Sequence, residues 1–251
     1  MTYPKIFCIA AVMISCISQY VSAQDAKDIV KQADNRMRGN TSQSEMIIKT
    51  MRATWTREMS LKAWMKGNDF AIILILSPVK DKGIVFLKRK KEVWNWLPTL
   101  ERSIKLPPSM MSQSWMGTDF TNDDLVKESS VVEDYEHTLI GDTLFQKRSC
   151  YIIQMIPKQD AAVVWGKLIV FIDKKDLLEL HCRFYDEEGE LINTMNAYDI
   201  TEMDGRLIPT RIEMIPSGKN NQKTEIIYKK VLFNRPIDDS FFTLDKMRSL
   251  N

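Results

Sequence analysis

Met59-Ser60-Leu61-Lys62-Ala63-Trp64-Met65-Lys66-Gly67-Asn68-Asp69-Phe70-Ala71-Ile72-Ile73-Leu74-Ile75-Leu76 holds two rhythms either side of one turn. In the first, Met59, Leu61, Ala63 and Met65 alternate with Ser60, Lys62, Trp64 and Lys66. A period of two puts each set on its own face of a β-strand. Gly67-Asn68-Asp69 supplies turn residues. Phe70 to Leu76 is then apolar at every position, the pattern of a strand buried on both faces.

Strand signals continue outward from this hairpin. Downstream, residues 78–83 read as a turn, and Ile84–Leu87, Val93–Leu97 and Arg102–Leu106 as short strands. Pro98 and Pro107-Pro108 end the last two, because proline cannot donate to a ladder. Residues 107–130 break the rhythm. Ser109 to Gly117 reads as a short helix or ordered loop, and Thr121 or Asn122 can cap a short turn through Val126. An insertion this long inside a run of strands is more often functional than decorative.

From Tyr135 the pattern is a meander. Strands are expected at 135–140, 149–156, 163–172, 177–185, 191–200, 208–214 and 224–233, with turn residues between most of them, such as Asp204-Gly205. Asp238 or Ser240 can cap a short closing helix. Upstream, Ala26, Ile29, Val30, Ala33 and Met37 make one apolar helical stripe, with Asp25 as cap and Gly39 as stop. No linker or repeat divides the chain. The expectation is one mainly β (α+β) domain, an antiparallel sheet of about eleven strands that must curl or close on itself.

The N-terminus sets the compartment. Lys5 precedes an apolar run, Ile6 to Ile17, too short for a permanent span, and Val21-Ser22-Ala23 fits a signal-peptidase site. Residues 1–23 are therefore expected to be a signal peptide cleaved after Ala23, which places residues 24–251 in the periplasm. An alternative reads Met13-Ile14-Ser15-Cys16 as a degenerate lipobox, with Cys16 lipidated and the protein membrane-anchored. The full chain has 35 basic and 33 acidic residues, and loss of Lys5 leaves a formal charge of +1. That field is too weak to attract nucleic acid.

Signals for catalysis and metal binding are thin. His137 and His181 lie on different expected strands without a second ligand at metal spacing. Ser77-Pro78-Val79-Lys80 matches a Ser-x-x-Lys nucleophile motif, but its partner motifs are missing and the stretch reads as a β-turn. Asp119, Asn122, Asp123 and Asp124 could hold a hard cation, yet lack EF-hand spacing. Acids complementing a helix dipole are the simpler account. Neither an enzyme nor a cofactor site is expected; a hydrolase acting through Ser77 or the acidic cluster is the outlying alternative. In a meander, one strand separates Cys150 from Cys182. Two strand spacings make roughly 9–10 Å, beyond the roughly 7 Å that a disulfide bridges. Two free, buried thiols are expected.

The positive signal is apolar. Met46, Met51, Met59 and Met65 fall on the first strands, Trp94 and Trp96 share a strand face, and Met110, Met111, Trp115 and Met116 follow in the insertion. Unbranched, polarizable methionine lets a cavity re-pack around varied ligands. Each buried CH₂ of an acyl chain contributes about 0.8 kcal/mol. Against this, methionine and tryptophan at strand spacing are more often simply core, and residue types alone favour core.

Longer strings tip that balance. Asp81-Lys82-Gly83, Phe86-Leu87-Lys88-Arg89, Trp94-Asn95-Trp96-Leu97-Pro98, residues 105–128, Asp160-Ala161-Ala162-Val163-Val164-Trp165-Gly166-Lys167, Met203-Asp204-Gly205-Arg206-Leu207-Ile208-Pro209-Thr210 and Asp239-Ser240-Phe241-Phe242 resemble the outer-membrane lipoprotein-sorting proteins, the LolA-like group, as a distant branch. The resemblance covers nearly the whole of residues 24–251. It implies a strongly curved antiparallel sheet, an incomplete β-barrel with a helical lid in its mouth, and an apolar cavity between sheet and lid. It also implies a monomeric, non-enzymatic carrier of acylated lipoprotein or lipid cargo, working between an inner-membrane exporter and an outer-membrane acceptor. An alternative is a lipid-binding envelope component of a membrane export system. Ligand-binding roles then fall to Trp94, Trp96, Met110, Met111, Trp115 and Met116, as cavity lining and lid.

Overall fold

A computed structural model describes residues 21–126, 130–219 and 221–250. Residues 1–20, with Lys5, Cys16 and most of the expected signal, lie outside the described residues.

Helix α1 spans Val21–Arg38. It starts upstream of the expected Asp25, since neither proline nor glycine interrupts residues 21–24. Its stripe of Ala26, Val30 and Ala33 is buried. Gly39, at φ +63°, ends it, and the Gly39 N–H donates to the Asn35 carbonyl at 2.9 Å. That left-handed position carries least strain as glycine.

Thirteen strands follow in one antiparallel sheet: β1 Thr41–Met51, β2 Thr56–Lys66, β3 Phe70–Ser77, β4 Val85–Arg89, β5 Glu92–Leu97, β6 Arg102–Leu106, β7 Tyr135–Phe145, β8 Arg148–Pro157, β9 Lys167–Asp173, β10 Glu179–Tyr185, β11 Leu191–Met203, β12 Arg206–Pro216 and β13 Lys223–Phe233. The sheet is mainly β, curved and open, as expected, with thirteen strands rather than about eleven. Its order is β6-β5-β4-β3-β2-β1-β13-β12-β11-β10-β9-β8-β7. Two meanders thus run outward from a central β1–β13 pair, matched from Ser42↔Phe233 to Met51↔Lys223 with a bulge between Glu45 and Met46. The insertion follows from this topology. Successive strands β6 and β7 are the two opposite edges of the sheet, so residues 107–126 and 130–134 lie across the open side of the curl.

Strand β3 is buried on both faces for a visible reason. Ile73 and Ile75 join the main core on the concave side, together with α1. Ile72 and Leu74 join a second cluster with Phe242 and Met247 on the convex side. That second cluster is closed by the C-terminal helix α3, Leu244–Ser249, capped by Thr243, whose hydroxyl accepts from the Lys246 N–H at 3.1 Å. The expected cap Asp238 begins a single 3₁₀ turn just before it, accepting from the Ser240 N–H at 2.8 Å.

Strand β9 begins at Lys167, four residues later than the periodicity suggests. Gly166 lies so close to the neighbouring chain that a Cβ there would meet the Asp186 carbonyl oxygen at 2.4 Å. Cys150 and Cys182 are free and buried. Strand β9 lies between their strands, and they face opposite sides: Cys182 joins the concave core, Cys150 a convex cluster.

Candidate functional site

The concave face of the sheet, α1 and the crossing segment enclose a mostly apolar cavity of about 240 Å³. Strand register builds its floor. Val170, Cys182, Met195 and Met214 are direct cross-strand neighbours on β9 to β12, forming one row. Leu61, Ala63 and Met65, the apolar set of the β2 alternation, make the opposite wall. Ala33 and Met37 of α1 and Phe120 and Leu125 of the crossing segment form the roof. Six methionines line the space: Met37, Met46, Met65, Met155, Met195 and Met214.

The roof is tied to the sheet by polar bonds at defined points. Arg52, beyond the end of β1, forks onto Asp119 with Nη1–Oδ2 2.9 Å and Nη2–Oδ1 3.0 Å. Its Nη2 also reaches the Gly117 carbonyl, and Arg57 Nη1 donates to the Met116 carbonyl at 2.8 Å. The Thr224 hydroxyl donates to Asp119 Oδ2 at 2.7 Å and accepts from the Asp119 N–H at 3.0 Å. A five-residue helix, α2 (Asn122–Val126), follows. Thr121 and Asp124 cap it reciprocally: the Asp124 N–H donates to Thr121 Oγ1, and the Thr121 N–H to Asp124 Oδ2. Trp165, before β9, donates its indole N–H to the other Asp124 oxygen at 2.9 Å. Asp119, Asn122 and Asp124 of the acidic cluster thus hold the roof, as the helix-terminus reading anticipates for Asp124.

Three titratable groups that line the cavity, Asp124, Cys182 and Tyr135, are pushed toward their neutral forms. Burial drives the Asp124 carboxyl up, against the hydrogen bonds from Thr121 and Trp165 that favour its anion. Burial raises the Cys182 thiol well above its ordinary value, helped by the Glu179 and Asp124 charges. It raises the Tyr135 phenol as well, whose hydroxyl donates to the Trp165 carbonyl at 3.3 Å. Neutral groups at these three positions suit an apolar guest, since they carry no charge that loses hydration when the guest enters; the ion-paired Asp34 and Arg38 also line the space, at its boundary.

The six expected ligand contacts divide by position, and none of them is among the cavity-lining residues. Trp94 and Trp96 share one face, as their spacing requires, but that face is convex and packs against the Phe242–Met247 cluster. Their strand neighbour Val93 points into the concave core instead. Met110, Met111, Trp115 and Met116 do pack in or against the concave core. They stand behind the roof as its footing: the Asp123 N–H donates to the Met111 carbonyl, and Asn122 Nδ2 to the Met110 carbonyl. Trp115 is fully buried, tilted against Phe86 with ring centroids 5.3 Å apart. The lining methionines missed at the sequence level, Met155, Met195 and Met214, sit on β8, β11 and β12, where the alternation is less regular.

The other candidates resolve locally. The His137 Nε2–H donates to the Val131 carbonyl at 2.7 Å, and burial lowers its pKa. The His181 Nδ1–H donates to Asn196 Oδ1 at 2.8 Å, and its ring packs against both Phe145 and Phe171. Ser77 Oγ pairs with Ser60 Oγ at 2.6 Å. The following residues form the expected turn, with the Pro78 carbonyl accepting from the Asp81 and Lys82 N–H groups.

Comparison with known proteins bears on the whole architecture. A family model described as "uncharacterized protein" matches residues 67–249. No curated protein sequence matches the chain. Among solved structures, a DUF1329 family protein from Desulfovibrio piger superposes with a TM-score of 0.81 at 20% identity, covering 90% of this chain and 99% of the other. A domain from Vibrio parahaemolyticus described as an outer membrane lipoprotein-sorting protein gives 0.80 at 19% identity, with the same coverage of 90% and 99%. A LolA superfamily protein from Nitrosomonas europaea gives 0.76 at 21% identity, again over 90% and 99%. The chain belongs to the family whose model spans residues 67–249, and its fold is that of the LolA-like lipoprotein-sorting proteins.

Proposed function

We propose that this protein is a non-enzymatic periplasmic carrier that holds the acyl chains of a lipoprotein or lipid in the cavity beneath α1 and the crossing segment. The observation that carries the reading is the methionine-lined cavity itself. It is apolar, roofed by a segment fixed through side-chain bonds, and floored by a continuous strand row. Its volume, about 240 Å³, is just under the roughly 300–1,000 Å³ of ordinary ligand sites, so a long chain enters by displacing flexible methionines or the roof. Export through residues 1–23 puts such a carrier between the two membranes, where it would take cargo from an inner-membrane exporter and pass it to an outer-membrane acceptor. Met110, Met111, Trp115 and Met116 serve in this reading as the footing on which the roof moves. Native mass spectrometry of the protein purified from the envelope, followed by lipid extraction, tests the proposal. Retained lipid, together with saturable binding of a fluorescent fatty-acid analogue, is the expected result; no lipid and no binding would leave the cavity as ordinary core.

A further inference from the structure

A second depression, polar and open, of about 450 Å³, lies at the C-terminal end of α1. It shares two residues with the apolar cavity, Asp34 and Arg38. Chain segments pass from one space to the other in single-residue steps. Met65 lines the cavity and Lys66 the basin; Val131 lines the cavity and Val132 the basin. The two spaces are therefore neighbours across a thin partition, and side chains of Asp34 and Arg38 stand in it.

That partition can open without breaking secondary structure. Arg38 Nε and Nη2 fork onto Asp34 at 3.1 and 2.9 Å, and Nη1 reaches the Gly67 carbonyl at 3.4 Å in the β2–β3 turn. Both side chains are only 11% and 12% exposed. Rotating Arg38 outward would join the spaces, whereas opening the roof must break the Asp119, Gly117 and Met116 bonds together. The basin is lined by both signs of charge, Lys31 and Lys66 with Asp69, Glu133 and Asp239; Lys66 is paired with Asp239 and Glu133 with Lys27 through exposed ion pairs that a ligand head can exchange. A head with one sign alone meets like charges there; a head carrying both can meet each with its opposite.

We infer that the Asp34–Arg38 pair is the portal of the cavity, and that its ligand is an amphiphile with its tail inside and a zwitterionic head in the basin. This rests on the acyl-binding reading and adds the route and the head chemistry. The test measures transfer of a tail-labelled lysophosphocholine from the loaded protein to acceptor vesicles. Arg38→Ala should speed release about tenfold, the worth of a charged hydrogen-bonded pair. Asn35→Trp, an exposed helix position lining the basin, should slow it and serves also if the Arg38 variant folds poorly. A purely structural role would not produce opposite signs. In competition, the phosphocholine head should bind about tenfold more tightly than a phosphate monoester on the same tail, since the second lacks a cation for the basin carboxylates. Unchanged rates in both variants would place the portal elsewhere while leaving acyl binding intact. Equal affinity of the two heads would refute the head assignment. Failure of every acyl probe to bind would remove the carrier reading and the portal together.

Discussion

Ala63 offers the sharpest test of whether the concave side holds a cavity or only a core. It is 1% exposed, lies on β2 opposite Ser44 and Ile73, and lines the cavity. Ala63→Leu adds three carbons. Buried into empty space, each contributes about 0.8 kcal/mol, roughly 2.4 kcal/mol in all. Side-chain entropy returns about 0.5–1 kcal/mol of that, leaving a net stabilisation of about 1.5 kcal/mol. The room is sufficient, since a cavity of roughly 150 Å³ takes benzene and this one measures about 240 Å³. Were the region already filled, the same carbons would overpack it and destabilise by about 1–3 kcal/mol. The two cases differ in sign. Urea denaturation should show a higher midpoint at unchanged slope. The leucine also occupies space the acyl chain needs, so a fluorescent fatty-acid analogue should bind about 50-fold more weakly, the equivalent of the same three carbons. A lower midpoint with unaltered binding would refute the reasoning.

Other expectations follow from single contacts. The buried Asp124 carboxyl has a raised pKa in the folded state, so its contribution is fully present below its unfolded value of about 3.9 and is lost as pH rises through the folded value. Denaturation of wild type and Asp124→Asn across that range should show wild type losing ground to the variant with rising pH; a flat difference would exclude the linkage. Arg52→Ala removes the fork on Asp119 and the Gly117 contact, and should destabilise by about 1.5–3 kcal/mol. Hydrogen exchange should report it as lost protection at the Asp119 and Asn122 amides, with β8 and β9 unaffected. Cys150 and Cys182 should remain two thiols in the unreduced protein and label with a maleimide only after denaturation; a bonded pair by mass spectrometry would contradict the order β8-β9-β10.

Much of the site was legible along the chain and one part was not. The β2 alternation correctly grouped Leu61, Ala63 and Met65, and these line the cavity. A cap at Thr121 or Asn122 was recognisable, and the structure places it at Thr121, whose hydroxyl and the Asp124 carboxylate satisfy two helix-end N–H groups reciprocally. Trp94 and Trp96 were rightly placed on one face, but which face turned on what covered it. Between β3 and β5 both sides of the sheet are buried, one by the concave core and one by α3. The polar–apolar contrast that usually marks the inside is therefore missing there.

Periodicity, turn residues and caps act within a few residues, so local sequence determined the antiparallel strands, their turns, the buried thiols and the break at residues 107–130. Only tertiary structure decided that β1 pairs with β13, that the break spans the mouth between the two sheet edges, and that Met155, Met195 and Met214 face the same hollow as Ala63. Those relations join residues well beyond the reach of local patterns, up to 191 positions apart for Ser42 and Phe233. They arise from the curl of the sheet, which no short-range pattern encodes.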